Sequence, residues 1–319
     1  MIITLTPNPS IDRTLEISSL TPGSVHRATA EHEEPSGKGV NVSRALTTNG
    51  IASLAILPVG GAAGAQLESM LRAEGVDFHP IPISDAVRVN ISLTEPGGRA
   101  TKINAPGPEL SAAELTSLTD ALLDRVREGD WVVASGSLPR GVGSDYYAGV
   151  CRLVHEAGGC FALDASGSAF REGLSAGPDV IKPNVEELEE AAGRPIGTLG
   201  DAVAAAQKLI ERGARSAVVS LGPDGALLLG AGQVLHASGH AVNPRSTIGA
   251  GDALLAGFLA GGGDGETALR EAVAWGTAAV GMEGSHVPVI TGQHRALVHT
   301  NSELVLSYRL HRGGTAAAG

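Results

Sequence analysis

WVVASGSLPRGVGSDYYAGVCRLVHEAGGCFAL, residues 131–163, holds a complete strand–helix–strand unit. Residues 131–134 form a short apolar run of β-favouring type, and residues 161–163 form another. Between them the pattern predicts a helix over 145–157, with Gly158 standing where that helix should stop. The same rhythm runs outward both ways. Strands are predicted at 2–5, 54–59, 180–181 and 217–221, and helices at 40–49, 65–74, 112–127 and 199–212. Gly50, Gly75 and Gly213 again sit at expected helix ends. Strands alternating with helices imply an α/β fold, a mainly parallel central sheet with helices on both faces.

Two stretches depart from this rhythm. Residues 13–34 and 87–104 alternate polar and apolar residues, as in RVNISLTE, and carry a turn signal at Pro96-Gly97-Gly98. They predict a small β appendage on an α/β core made of 1–12, 35–86 and 105–310. Residues 311–319 read as a disordered tail.

The chain has 319 residues, 43% of them apolar, enough for a large core. Its net charge of −11 argues against nucleic-acid or membrane-surface binding, which needs a basic face. An anionic ligand must therefore be caught by local groups. The two cysteines, Cys151 and Cys160, form no CxxC and have no metal-spaced partner, so they read as ordinary thiols. The N-terminus shows no signal-peptide pattern and no apolar run is long enough to span a bilayer, which predicts a cytoplasmic protein.

RSTIGAGDALLAGF, residues 245–258, places small residues directly before a carboxylate and an apolar run. Gly249, Ala250 and Gly251 at a helix start would leave several backbone N–H groups accessible, and with the helix dipole these make an anion site. Asp252 falls in the first turn beside it. Such a pair suits phosphoryl transfer, with the amides holding charge and Asp252 taking a hydroxyl proton. A tight turn followed by an ordinary first-turn acid fits the same letters. There is no Walker A motif, since Lys38 is followed by Gly39. Neither a G-x-G-x-x-G after the first strand nor a G-x-S-x-G is present.

Taken in order, TPNPSIDRT, SGKGVNVSRAL, VRVNISLTE, SGSLPRG, KPNVEELEE, SLGPDGALL and STIGAGDALLAGF resemble the ribokinase-like PfkB family of sugar kinases, over nearly the whole chain. The resemblance implies that the β appendage is a lid over the sugar. It makes Asp252 the general base and the amides of Gly249, Ala250 and Gly251 the anion hole. Sugar binding falls by similarity to Asp12, Gly37, Lys38, Gly39 and Asn41. Arg88, Asn90, Lys102 and Ser137 join them, with Lys38 and Lys102 as the phosphate contacts; Arg27 is a further cation on the lid. The nucleotide set is Lys182, Asn184, Ser220, Gly222 and Gly225, and Glu187 is expected to act on magnesium through water.

Ser36 stands where the family commonly has the first of two glycines. The motif pair SGKGVNVSRAL and VRVNISLTE looks most like the members that phosphorylate fructose 1-phosphate at its 6-hydroxyl with ATP. Tagatose-6-phosphate kinase and 6-phosphofructokinase activities are the alternatives within the family. A catalytically silent sugar-phosphate or nucleotide sensor is the alternative outside catalysis. Paired lids predict a homodimer.

Overall fold

The computed structural model describes residues 1–97 and 99–311. Gly98 of the expected turn and residues 312–319 of the expected tail lie outside the described residues. The chain opens with β1 (Ile2–Leu5), β2 (Ser10–Glu16), β3 (Ala30–Ser36) and α1 (Lys38–Thr48). It continues through β4 (Ser53–Val59), α2 (Gly61–Ala73), β5 (Phe78–Pro82), β6 (Arg88–Thr94) and β7 (Ala100–Ile103). The middle third holds α3 (Ala112–Leu123), β8 (Trp131–Ser135), α4 (Tyr146–Glu156), β9 (Cys160–Asp164) and α5 (Gly167–Leu174). Next come β10 (Val180–Ile181), α6 (Val185–Ala192), α7 (Leu199–Glu211) and β11 (Ser216–Ser220). The described chain ends with β12 (Ala226–Gly230), β13 (Gln233–Gly239), α8 (Ala250–Ala260), α9 (Gly265–Val280), α10 (Gly292–Ala296) and β14 (Val298–Asn301).

Ten strands form one sheet in the order β14-β13-β12-β11-β10-β9-β8-β1-β4-β5. From β11 to β5 every pairing is parallel; β12, β13 and β14 are added antiparallel. Apolar residues of the central strands point alternately into two cores. Ile3, Leu5, Val132, Phe161 and Leu163 pack with α3, α4, α5 and α7. Ile2, Val133, Ala162 and Val180 pack with α1, α8 and α9. Burial on both faces explains why these strands read as unbroken apolar runs. Gly158 follows α4 at φ +78°, a left-handed turn that L side chains rarely adopt, which is why the helix stops there.

Four strands form a separate small sheet, β3-β2-β6-β7. It begins at Ser10, three residues before the boundary expected at 13, and takes in Ser36 on its return. Alternation splits its faces by chemistry. Ser10, Asp12, Arg88, Asn90, Ser92 and Lys102 share one face by register. Ile11, Leu15, Val89, Ile91, Leu93 and Ile103 share the other. His311, expected in the disordered tail, is held in place: its N–H and Nδ1 reach the carboxylate of Asp224 at 2.6 and 2.7 Å.

Candidate active site

The C-terminal ends of adjacent parallel strands are where open α/β sheets gather ligands. Here β1 leads into Thr6 and Asn8, and β8 ends at Ser135 before Ser137. β9 ends at Asp164, and β10 is followed by Lys182 and Asn184. Across this edge comes the N-terminus of α8. Its cap, Gly249, has φ +72°, so the chain enters the helix through a left-handed residue. The Ala250 N–H closes a turn onto the Thr247 carbonyl at 3.3 Å. Among the described residues the N–H groups of Gly249 and Gly251 have no protein acceptor. Two of the three expected anion-hole donors are therefore free, and the third makes a long bond that a ligand can replace.

Asp252 sits in the first turn of α8, 8% exposed, and its Oδ2 accepts from Asn41 Nδ2 at 2.8 Å. Near it an ion cluster forms around the buried Asp164. Lys38 Nζ donates to Asp164 Oδ1 at 2.8 Å, Lys182 Nζ pairs with Asp164 Oδ2 at 3.2 Å, and Lys38 lies 3.9 Å from Glu187 Oε1. Burial, and then the charge of Asp164, push the Asp252 carboxyl up to about 6; Lys38, Lys182 and the Asn41 bond oppose the rise. Burial also works to raise Asp164, yet Lys182 and Lys38 hold it below the ordinary carboxylate value. Burial disfavours the charge on Lys38, but Asp164 first, then Asp252 and Glu187, carry it above the usual lysine value. Two neighbouring carboxyls pushed apart in this way give one permanent anion and one group able to exchange a proton near neutrality.

The residues expected on the sugar side lie around Gly39 and on the polar face of the small sheet. A Cβ built on Gly39 would fall 2.4 Å from Thr6 Oγ1 and 3.4 Å from Ser135 Oγ. Gly37, the cap of α1, has φ +121°, and a Cβ there would meet Thr6 Cγ2 at 2.9 Å. Thr6 Oγ1, Asn8 Oδ1, Asn41 Oδ1, Ser135 Oγ and Arg88 Nε are buried without a hydrogen-bond partner among the described residues. Orphans of this kind are costly unless a ligand satisfies them, and five of them suit a polyhydroxylated molecule.

Asp12 is already satisfied. It accepts from Ser10 at 2.8 Å, Asn90 at 2.8 Å and Ser36 at 2.9 Å, so it joins three strands of the small sheet. The hydroxyl of Ser36 thus does what a glycine there could not. Arg88 donates to the carbonyls of Ala105 and Asn8 at 3.0 and 2.9 Å, and Ser137 accepts from Asn8 at 3.1 Å. Lys102 is exposed, two residues farther out on the face of Asn90. Arg27 lies exposed in the loop between β2 and β3.

The expected nucleotide residues divide. Lys182 is buried in the ion cluster, and a Cβ on Gly251 would lie 3.2 Å from its Nζ, so its amine stands beside the start of α8. Asn184 and Glu187 cap α6 reciprocally: Asn184 Oδ1 accepts from the Glu187 N–H at 2.8 Å, and Glu187 Oε2 accepts from the Asn184 N–H at 2.9 Å. Ser220, Gly222 and Gly225 stand at the end of β11 and in the turn that follows, next to Asn184 through a backbone bridge to Ser220. Asp164, Asn8, Thr6 and Ser135 are not among the residues the sequence singled out. A carboxylate closing the strand run FALD was the available signal for Asp164; Thr6 and Asn8 had none beyond their place in TPNPS, and Ser135 none beyond closing WVVAS.

Residues 5–291 match the model of the pfkB family of carbohydrate kinases. The 1-phosphofructokinase of Xanthomonas campestris pv. campestris is 38% identical over 283 residues, covering 86% of this chain and 88% of that protein. The ATP-dependent 6-phosphofructokinase isozyme 2 of Mycobacterium tuberculosis is 37% identical over 262 residues, 82% of this chain and 77% of the relative. Phosphofructokinase-2 from Escherichia coli, solved with substrates and products, superposes with a TM-score of 0.85 at 32% identity, over 92% of this chain and 97% of that one.

Proposed function

The chain belongs to the pfkB family of carbohydrate kinases and is an ATP-dependent sugar kinase, and from that premise we propose that it transfers the γ-phosphoryl group of ATP to the 6-hydroxyl of fructose 1-phosphate. The observation that carries this reading is the pairing, in one turn of α8, of free N–H groups at Gly249 and Gly251 with the buried carboxylate of Asp252. As the sugar oxygen bonds to phosphorus, Asp252 takes its proton and the bond to the bridging oxygen of ADP breaks. The N–H groups hold the charge that gathers on the moving phosphoryl oxygens. Lys182 adds positive charge beside Gly251, and Lys38 adds it on the sugar side. Arg88, Lys102 and Ser137 receive the 1-phosphate; Asn41, Gly39 and the orphaned Thr6 and Ser135 hydroxyls receive the ring. Ser220, Gly222 and Gly225 take the nucleotide.

Among the described residues no cluster of three metal-ligating side chains exists. The donor present is Glu187, a hard carboxylate oxygen, and this fits magnesium, which keeps much of its water and leans on substrate phosphates. Glu187 would hold it through water by Oε1, the oxygen not used in capping, and the ion would neutralise phosphate charge. Glu187→Gln keeps the capping acceptor, so the fold should persist while the magnesium needed for half-maximal turnover rises roughly tenfold. A magnesium titration unchanged from wild type would remove Glu187 from this role.

A base that ionises near 6 dictates the acid limb of the pH profile. Turnover should fall as pH drops through about 6, because Asp252 must be ionised to accept a proton. Asp164→Asn removes the neighbouring anion that raises Asp252, so the acid limb should move to lower pH. A limb that stays put in this variant would contradict the electrostatic assignment.

Among the described residues no helix is long and apolar enough to cross a membrane. We place the protein in the cytoplasm, where ATP and sugar phosphates occur. The small sheet supports a homodimer formed through the lid. Leu15, Ile91 and Leu93 are half-buried and Ile103 is 55% exposed, extending the buried Ile11 outward as an uncovered apolar face. A monomeric mass in solution would contradict the dimer.

A further inference from the structure

Arg44 lies on α1 one turn beyond Asn41 and is only 4% exposed, yet the transfer step gives it no task. All five of its N–H bonds have an acceptor. Nε and Nη2 grip the two oxygens of Glu74 at 2.6 and 3.0 Å. Nη1 donates to the Pro35 carbonyl at 3.0 Å and to Ser285 Oγ at 2.7 Å. The remaining N–H of Nη2 faces His286 Nδ1 at 3.4 Å. A guanidinium presents these donors in one fixed plane; an ammonium, with three donors on one atom, cannot span the same acceptors.

The acceptors sit on separate elements. Glu74 caps α2, Pro35 is near the end of lid strand β3, and Ser285 and His286 belong to the segment between α9 and α10. That segment is also tied to the lid, because the Ser285 N–H lies 3.2 and 3.3 Å from the two oxygens of Glu34. It packs directly under the anion hole: a Cβ on Gly249 would fall 2.8 Å from Ser285 Cβ. Helix α1 meanwhile delivers Asn41 to Asp252. One side chain therefore registers the lid strand, the seat of Gly249 and the helix that holds the base. Net stability is a poor reason for it, since a buried charge among carboxylates gains little over packed apolar groups. What the fork adds is direction.

We infer that Arg44 is a positioning residue for phosphoryl transfer, holding lid strand β3 and the Ser285 segment so that the free N–H groups and Asp252 face the same reacting centre. This rests on the anion-hole reading of Gly249 and Gly251. The test compares Arg44→Lys, Ser285→Ala and the double variant for kcat, both KM values and thermal midpoint, with wild type assayed alongside. Arg44→Lys should lower kcat roughly tenfold to a hundredfold. Both KM values should stay within about threefold, because Arg44 itself bonds only to Glu74, Pro35, Ser285 and His286 and to none of the residues proposed to bind substrate. Ser285→Ala should change kcat in the same direction by less, and the double variant should be no worse than Arg44→Lys, since the Ser285 hydroxyl acts through its bond to Arg44.

If kcat per folded molecule is unchanged and only the thermal midpoint falls, Arg44 is a brace and the inference is wrong. If Arg44→Lys does not fold, an unchanged kcat in Ser285→Ala overturns the inference by itself. Wild-type protein that phosphorylates no sugar phosphate would bring down the anion-hole reading and this inference with it, an outcome the wild-type control separates from failure of the inference alone.

Discussion

Asp252→Asn is expected to lower kcat by about a hundred- to ten-thousand-fold with the fold intact. The amide oxygen can still accept from Asn41, which now stands 2.8 Å from Oδ2, so the local geometry has no reason to collapse. What disappears is the proton acceptor. The variant should also be no less stable at neutral pH. The folded protein holds the Asp252 proton more tightly than an unfolded chain does, with the carboxyl raised to about 6. An acid raised in this way weakens the folded state as it ionises, between the ordinary carboxylate range and pH 6, and the cost persists above that. Asparagine removes it. Turnover and thermal midpoint measured across that pH range check both halves. Activity within about tenfold of wild type would remove Asp252 as the base.

Gly249→Ala should be nearly as damaging, for a backbone reason. At φ +72° an alanine is strained, and its Cβ would lie 2.8 Å from Ser285 Cβ and 2.9 Å from Ser285 Cα. The second contact is with backbone, so no rotamer change relieves it. The turn must move, and with it the N–H groups of Gly249 and Gly251. Loss of aligned oxyanion-type donors costs about a hundred- to a thousand-fold in kcat. The KM of the sugar should change far less, because the ring contacts we propose lie on α1 and the small sheet. A variant with normal kcat would show that these N–H groups are not the anion hole.

Much of the fold was legible because its signals are local. Runs such as ALTTNG and VHEAGG announce a helix and its end within a few residues, and the parallel strands are short unbroken apolar segments. β5 was not legible, since FHPIP carries two prolines, which only an edge strand tolerates. The β12–β13 hairpin escaped as well. Its turn runs through Ala231 at φ +48°, where a hairpin signal would have put asparagine or aspartate beside the glycine.

In the site, Asp252 and its flanking small residues stood out because chemistry and helix start share four letters. Asp164 did not, because its importance comes from Lys38 and Lys182, brought together from distant parts of the chain. Arg44 was hidden for the same reason: its partner Ser285 is 241 residues away. Asp12 is expected at the sugar, and its bonds to Ser10, Ser36 and Asn90 could be known only from the folded chain. A motif gives the residue type and its approximate place, while the hydrogen-bond partners are properties of the folded chain.

The most direct test follows the sugar itself. Phosphorus NMR of the product, run with magnesium-ATP on fructose 1-phosphate, fructose 6-phosphate and tagatose 6-phosphate, identifies both the preferred acceptor and the oxygen that is esterified. Fructose 1-phosphate should give the highest kcat/KM and a product carrying phosphate at both ends, with one ADP formed per sugar consumed. Preference for either other acceptor, or ATP consumed with no new sugar ester, would contradict the assignment.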